Sequence, residues 1–432
     1  MSAPLTRSTV LLSDYQTIRD ETERLAAPLS PEDQQVQSMP DVSPTKWHRA
    51  HITWFFETFL LLPELPGYVA FNPDFQFLYN SYYEAVGDRH ARHERGLISR
   101  PSATEVGEYR RHVDQAMVRL IDEIAPNDPA IEELVLLGLH HEQQHQELLL
   151  MDIKHVLSMN PTRPVYHKVE DVLADSVGPL TWHEYEGGLI DIGHGDDGFA
   201  FDNEGPRHRT YVAPFRIADR LVTNGDWLDF MADDGYHSAE HWLSAGWATV
   251  NDQGWESPMY WEPTERGWYT HTLHGFVPVE RDEPVCHVSY FEADAYARWA
   301  GARLPTESEW EHVASQQQGS SSSDLVGNFA QTGRFHPAPA SSSDSSIRQM
   351  FGDVWQWTSS SYSAYPGFSP AAGAVGEYNG KFMVNQYVLR GGCCATPYGH
   401  TRTTYRNFFP THTRWMFSGL RLASDLTSEA TL

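Results

Sequence analysis

Residues 140–147 read His140-His141-Glu142-Gln143-Gln144-His145-Gln146-Glu147. On a helix, positions i and i+4 project from one face about 5 to 6 Å apart, so His141 and His145 can chelate one ion. A third donor must come from another element. His51 is the best candidate, because it falls mid-helix on an apolar face where a lone imidazole needs a buried partner. Three neutral nitrogens leave coordination positions open. Such a donor set suits zinc, iron or copper, whereas the common non-haem iron pattern is two histidines and a carboxylate, so donor type alone leaves the metal open. Glu142 and Glu147 lie off the chelating face and read as a solvated helix side, with Glu147 alternatively orienting a ligand from behind. His48, His90, His93 and His140 read as ordinary core or surface histidines.

Positioning those residues takes helices. Periodicity predicts a first helix over Thr6 to Ala26, where Leu11, Ile18 and Leu25 recur at helical spacing. Ser43-Pro44 reads as the N-cap and first turn of a second, carrying Trp47, His51, Phe55 and Leu62 until Pro63 stops it. A third spans Thr104 to Ile124, and a fourth runs from Asp128 to Met159, before Asn160-Pro161. Four helices suggest a bundle. The Tyr- and Arg-rich stretch from Phe71 to Pro101 is longer than a simple connection requires, and such loops carry function.

Beyond about Pro161 the pattern changes to short strands, Gly and Pro turns and frequent Trp, as in GLIDIG, RTYVAPFRIA, GWYT and YVLRGG. The expected helices there are Asn224 to Ala232, Glu292 to Trp299 and Glu307 to Ser315. Ser-rich patches at Gly319 to Asp324 and Ser341 to Ser346 read as exposed loops. The expected class is α+β: a bundle over 1–162, a linker over 163–180, a second domain of low regularity over 181–427, and a tail over 428–432.

With 432 residues, two domains are the default. The net charge of -27 repels phosphate backbones and anionic lipid, which argues against nucleic acid or membrane as partner. No charged n-region precedes an apolar core at the N-terminus, so a soluble cytoplasmic protein is expected. Three cysteines, Cys286 and the adjacent pair Cys393-Cys394, neither build a disulfide scaffold nor show thiolate-metal spacing.

Together these motifs resemble the bacterial sulfoxide synthases of ergothioneine biosynthesis, which join a DinB-like bundle to a formylglycine-generating-enzyme-like (sulfatase-modifying factor, C-type-lectin-like) domain. The first half is similar through WHRAH at Trp47 to His51 and HEQQHQE at His141 to Glu147. The second half matches through DNEGPRH at Asp202 to His208, VTN at Val222 to Asn224, RLPTESEWE at Arg303 to Glu311 and GDVWQWT at Gly352 to Thr358. LRGG at Leu389 to Gly392, TYRNFF at Thr404 to Phe409 and SGLRLA at Ser418 to Ala423 complete the series.

The resemblance implies an Fe(II) enzyme that uses O2 to attach a thiol sulfur to C2 of the imidazole of hercynine, the trimethylated betaine of histidine, giving a sulfoxide. It places His51, His141 and His145 as the iron ligands. Relatives that use γ-glutamylcysteine carry an acid two residues after the Asn of their YRN motif. Here Phe408 and Phe409 follow Asn407, and Arg414-Trp415 comes later, so the chain is similar to the branch that uses free L-cysteine. That branch draws its catalytic tyrosine from the bundle side, which implies Tyr82 or Tyr83. A phenol there can donate a proton during oxygen reduction and steer oxygen onto sulfur, away from wasteful sulfinate formation.

For the substrate carboxylates, Arg92 and Arg95 are the expected guanidinium partners. Gln144 and Asn407 match family positions that contact hercynine, Tyr378 in GEYNGKF is a further expected contact, and Trp415 and Phe408 offer aromatic faces to its trimethylammonium group. The second domain is expected to wall the active site, since adjacent Cys393-Cys394 does not reproduce the copper-binding cysteines of formylglycine-generating enzymes. RLPTESEWE and GDVWQWT read as structural. The rivals are a bundle-type zinc thiol transferase, a selenoneine- or ovothiol-type synthase, and a binding module with a lectin-like second domain. Oligomeric state is left open.

Overall fold

The computed structural model describes residues 7–168, 176–195, 198–317, 325–341, 346–371 and 374–426. The chain forms two compact units, Met1–His167 with Ala371–Tyr378, and Lys168–Pro370 with Asn379–Leu432. The Ser-rich patch at 319–324, residues 342–345 of the second patch, positions 169–175 of the expected linker, the 428–432 tail and Thr6 lie outside the described residues.

In the first unit, α1 is Arg7–Ala26, α2 Thr45–Phe56, α3 Ala103–Glu123 and α4 Pro129–Ser158. The third starts at a capping box, with Ser102 and Glu105 satisfying each other's backbone N–H. The fourth starts at Asp128, whose carboxylate accepts from the Ala130 N–H, followed by Pro129 in the first turn. Helix α2 packs on α3 and α4, and α1 packs on the same two. At Gly138 of α4, a Cβ would lie 2.6 Å from the Phe56 ring. Only glycine allows this approach of α4 to α2, one turn before His141. In α1, Leu11, Tyr15, Arg19, Thr22 and Leu25 are buried while Ile18 is half-buried. The inner face is thus partly polar, because Arg19 and Thr22 bond Glu142.

Helix α2 departs from expectation at both ends. Ser43 does not cap it: Pro44 is the N-cap, the Ser43 N–H donates to Asp152 Oδ2 (2.8 Å), and its Oγ accepts from Arg95 (2.9 Å). Nor does Pro63 stop it. Residues Glu57–Leu61 form a π turn, with the Leu62 N–H bonded to Glu57 O, and the helix continues through Leu62–Glu64. Proline lacks an N–H and clashes with the carbonyl four residues back, and widening the turn ahead of it absorbs both effects. Glu57, buried in that turn, accepts from Tyr68 Oη (2.6 Å), the Phe71 N–H (3.0 Å) and Tyr109 Oη (2.8 Å). It thereby anchors the entry to the long connection. Within the connection lies a short helix, Phe75–Tyr79.

The second unit is a set of small sheets. Its strands are β1 Trp182–Tyr185, β2 Gly188–Ile192, β3 His208–Val212, β4 Phe215–Ala218, β5 Trp261–Thr264 and β6 Gly267–Thr272. They continue with β7 Gly275–Pro278, β8 Trp355–Ser361, β9 Gln386–Arg390, β10 Asn407–Pro410, β11 Ser418–Gly419 and β12 Ala423–Asp425. The orders are β1-β4-β12, β10-β9-β8-β11, β2-β3 and β5-β6-β7, antiparallel except β8 with β11. The helices are α5 Asn224–Ala232, α6 Ser244–Gln253, α7 Tyr290–Trp299 and α8 Glu307–Gln317. Helix α6 was not expected, although Gly254, at φ +62° just past its end, is a stop signal that marks it.

Around Trp310, the residues Phe215, Ile217, Val313, Phe329 and Phe351 form a buried cluster. RLPTESEWE is structural, as expected. Glu307 takes Arg406 (2.9 Å), Glu311 takes Arg390 (2.6 Å), and Trp310 Nε1 donates to Gln356 (3.0 Å). All three cysteines are buried, and none of them forms a disulfide. The chain is α+β, as its sequence implies. Among the described residues, no helix is long and apolar enough to cross a membrane.

Candidate metal centre

The fold of the first unit brings His51 of α2 to His141 and His145 of α4. One ligand-capable atom from each lies within 4.8 Å of the others. The ring centroids are 5.0 Å (His51 to His141), 4.8 Å (His51 to His145) and 4.7 Å (His141 to His145) apart. His51 Nδ1 is 2.6 Å from the Tyr79 carbonyl. A carbonyl only accepts, so Nδ1 carries the proton and Nε2 keeps its lone pair. That Nε2 and both ring nitrogens of His141 are buried with no hydrogen-bond partner. A buried polar atom left so costs about 1–3 kcal/mol. Converging orphan nitrogens fit a metal ion, which takes up lone pairs without needing a proton.

Electrostatics keep these nitrogens unprotonated. Burial holds His141 down to about 3. Burial first, and then the neighbouring His141, hold His51 and His145 well below the usual histidine range. Neutral imidazole is the form that ligates.

A consequence for stability follows in the metal-free protein. Unfolded histidines take up protons below about pH 6.5, while the folded ones do so only near or below the depressed values. The unfolded state therefore binds more protons as pH falls, and stability drops from about pH 6.5 downward. Between pH 7 and pH 5 the loss is to be about 2 kcal/mol for each of the fully buried His51 and His141. Urea midpoints of metal-free protein at the two pH values measure it. His141→Ala, lacking one of the two, is to lose less, and an equal loss in both proteins would contradict the assignment.

Several flanking groups were read otherwise from the sequence. His48 is no bystander: its Nδ1 is 2.8 Å from His145 Nδ1 and its Nε2 is 3.0 Å from Asp152 Oδ2. The signal was available in the spacing, since His48 precedes His51 by one turn and Asp152 follows His145 by two. Glu142 is not on a solvated side. It is fully buried and accepts from Arg19 (2.9 Å), Thr22 (2.7 Å) and Arg110 (3.0 Å). Glu147 is also buried.

Of the expected tyrosines, Tyr83 is fully buried against Trp54 (5.5 Å) and Phe59 (5.1 Å), and Tyr82 is half-buried and stacks on it at 4.6 Å. Asn80 organises their loop, accepting from the Tyr83 N–H and donating to the Tyr83 and Gly87 carbonyls. Tyr378, grouped with the helical unit, meets the His141 ring edge-on at 5.6 Å and Tyr82 at 6.4 Å. Its hydroxyl donates to Gln144 Oε1.

Of the two arginines, Arg95 is buried. Its guanidinium lies 3.3 Å from the centre of the Trp47 ring and donates to Ser43 and Ser81. Burial, then Arg92, pulls its pKa well below the usual guanidinium range. Arg92 is exposed and donates to the Asp41 carbonyl.

Asn407, Phe408 and Trp415 belong to the second unit. Asn407 Oδ1 accepts from the Phe408 N–H (2.9 Å), and the Phe408 ring stacks on Tyr362 at 4.0 Å, so one of its faces is taken. Trp415 is buried, with Phe409 edge-on at 6.0 Å.

The model of the DinB superfamily matches residues 14–149, and that of the sulfatase-modifying factor enzyme 1-like domain matches residues 184–426. Hercynine oxygenase of Mycolicibacterium smegmatis is 32% identical over 415 residues, covering 90% of this chain and 93% of that protein. Ergothioneine biosynthesis protein 1 of Schizosaccharomyces pombe is 27% identical over 232 residues, 52% of this chain and 28% of that protein. Formylglycine-generating enzyme of Streptomyces coelicolor is 29% identical over 231 residues, 45% of this chain and 72% of that protein.

Proposed function

This chain belongs to the hercynine oxygenase family, and from that membership we propose that it is an Fe(II)- and O2-dependent sulfoxide synthase that joins cysteine to C2 of hercynine in ergothioneine biosynthesis. The observation that carries the metal half of this reading is the convergence of three imidazoles, with unpartnered buried nitrogens on His51 and His141 and the half-buried His145 beside them. His51, His141 and His145 would hold the ion. Bound Fe(II) supplies the redox chemistry by which O2 is activated, and open positions for a thiolate and an imidazole.

The reaction balances on O2 alone. Forming C–S from C–H and S–H removes two electrons, and oxygenating the sulfur removes two more. O2 accepts all four, leaving one oxygen on sulfur and one in water. The protein's share is to bind two zwitterions, exclude water and supply a proton at the right atom.

Tyr82 is the proposed proton donor. It is the half-buried member of the pair and meets Tyr378, whose ring in turn touches His141. Gln144, held by the Tyr378 hydroxyl between the two ligands of α4, is proposed to meet hercynine. Arg92 and Arg95 are assigned to the carboxylates. Asn407, Phe408 and Trp415 enter the substrate-binding set by their match to the family pattern.

Fe(II) protein mixed with hercynine, cysteine and O2 is expected to give a product of the mass of the sulfoxide. Tyr82→Phe should divert most turnover to cysteine sulfinate, and Tyr83→Phe should not. Diversion in Tyr83→Phe alone would move the proton donor to Tyr83. Turnover by zinc-loaded protein without O2 would overturn the proposal, as would a preference for histidine or a selenosugar over the named substrates.

A further inference from the structure

We propose that His48 is a positioning residue that fixes which nitrogen of His145 faces the metal, with Asp152 fixing His48 in turn. The inference rests on the reading of the three histidines as a metal centre. Its geometry is a chain of short contacts through the bundle interior: Ser43 N–H to Asp152 Oδ2 at 2.8 Å, Asp152 Oδ2 to His48 Nε2 at 3.0 Å, and His48 Nδ1 to His145 Nδ1 at 2.8 Å.

The proton count along this chain is determined by what each atom can do. A carboxylate only accepts, so His48 Nε2 is the donor to Asp152 and carries a proton. With Nε2 engaged as the donor to Asp152, Nδ1 is the nitrogen that His48 turns as an acceptor toward His145. Two ring nitrogens 2.8 Å apart share one proton, and it must sit on His145 Nδ1. His145 is thereby left with its lone pair on Nε2. The His51 ring, donating from Nδ1 to the Tyr79 carbonyl, is set the same way. Two of the three candidate ligands thus have a fixed tautomer and ring orientation before any ion arrives.

Placement reinforces the assignment. His48 and Asp152 are both buried, so water does not compete for these contacts. His48 shares α2 with His51, and Asp152 shares α4 with His145. The relay therefore ties together the two helices that supply the centre. Partners of this kind behind a metal-binding histidine typically contribute 10- to 100-fold in metal affinity.

Cobalt(II) is a suitable probe, read by its visible absorption and by the proton NMR of the loaded protein. In the wild type, the Nδ1–H protons of His145 and His51 should appear as exchangeable, strongly shifted resonances. His48→Leu should bind Co(II) about 10- to 100-fold more weakly and lose the His145 resonance to fast solvent exchange. His48→Gln offers an amide oxygen to the same N–H and should recover most of both. Circular dichroism of the metal-free variants establishes that they are folded.

A wild-type spectrum without the His145 N–H resonance would overturn the inference whatever the variants do. So would equal Co(II) affinity in His48→Leu and wild type. Failure of the wild type to take up Co(II) at all would instead overturn the metal-centre reading, and the inference with it.

Discussion

His141→Ala is expected to lower iron-dependent turnover by roughly a thousandfold, about 4 kcal/mol in the barrier, while leaving the bundle folded. His141 is the natural choice among the three because neither of its ring nitrogens has a protein partner. Removing it breaks no hydrogen bond, only a ligand. The metal-free variant should therefore melt close to the metal-free parent, since the gain from deleting two unsatisfied nitrogens offsets part of the cavity left beside Phe55. Adding Fe(II) separates the two. At a hundred times the dissociation constant, an ion that binds only the folded form stabilises it by about 2.7 kcal/mol, and that shift should be present in the parent and absent in the variant. A variant that kept both one iron per chain and the shift would sink the three-histidine assignment.

Glu142→Ala should have the largest effect on stability, a loss of about 3–5 kcal/mol. The carboxylate is fully buried between Arg19 of α1 and Arg110 of α3, at 2.9 and 3.0 Å, with Thr22 at 2.7 Å. The two guanidiniums are themselves buried. Asp114 and Glu23 reach them from α3 and α1, both at 2.7 Å, and Arg49 of α2 joins through Glu23 at 2.6 Å. All four helices thus contribute to one charge web, and its only fully buried anion is Glu142. Truncating it leaves two buried guanidiniums with only the part-exposed Asp114 and Glu23 as counter-charges. Urea unfolding at low and high salt is the measurement. A surface pair would weaken as salt rises, whereas this loss should be nearly independent of ionic strength. A drop under about 1 kcal/mol would show the web to be dispensable.

What could be read in the sequence and what could not divide along physical lines. His141 and His145 were legible because a helix converts a four-residue spacing into a shared face. The start of α4 was legible because Asp128-Pro129 is a cap and a first-turn residue in one dipeptide. The π turn in α2 was not. Nothing in Glu57–Leu61 demands a wider turn, and a proline at position 63 reads as a stop unless the turn ahead of it is already widened. Glu142 was misread because a glutamate on a helix is ordinarily solvated, and only partners on two other helices reverse that expectation. His48 and Asp152 were hidden by a pairing between helices, though each shares a face with a ligand on its own. Tyr378 lies more than 200 residues from His141, so no spacing argument reaches it and only the family pattern singled it out. Phe408 was expected to offer an aromatic face, and Tyr362 covers one of its two.

Arg95, Trp47, His51 and Trp54 are layered in that order: guanidinium on indole at 3.3 Å, indole on imidazole at 4.6 Å and 11°, imidazole on indole at 5.5 Å and 16°. An imidazole held between two indoles keeps its place with or without an ion. Immobilising a side chain on binding ordinarily costs about 0.5–1.5 kcal/mol in entropy, and here that cost falls on folding. An ion bound there would be a late, exchangeable guest of a finished bundle. Zinc fingers show the opposite order, in which the metal must arrive before there is any fold to receive it.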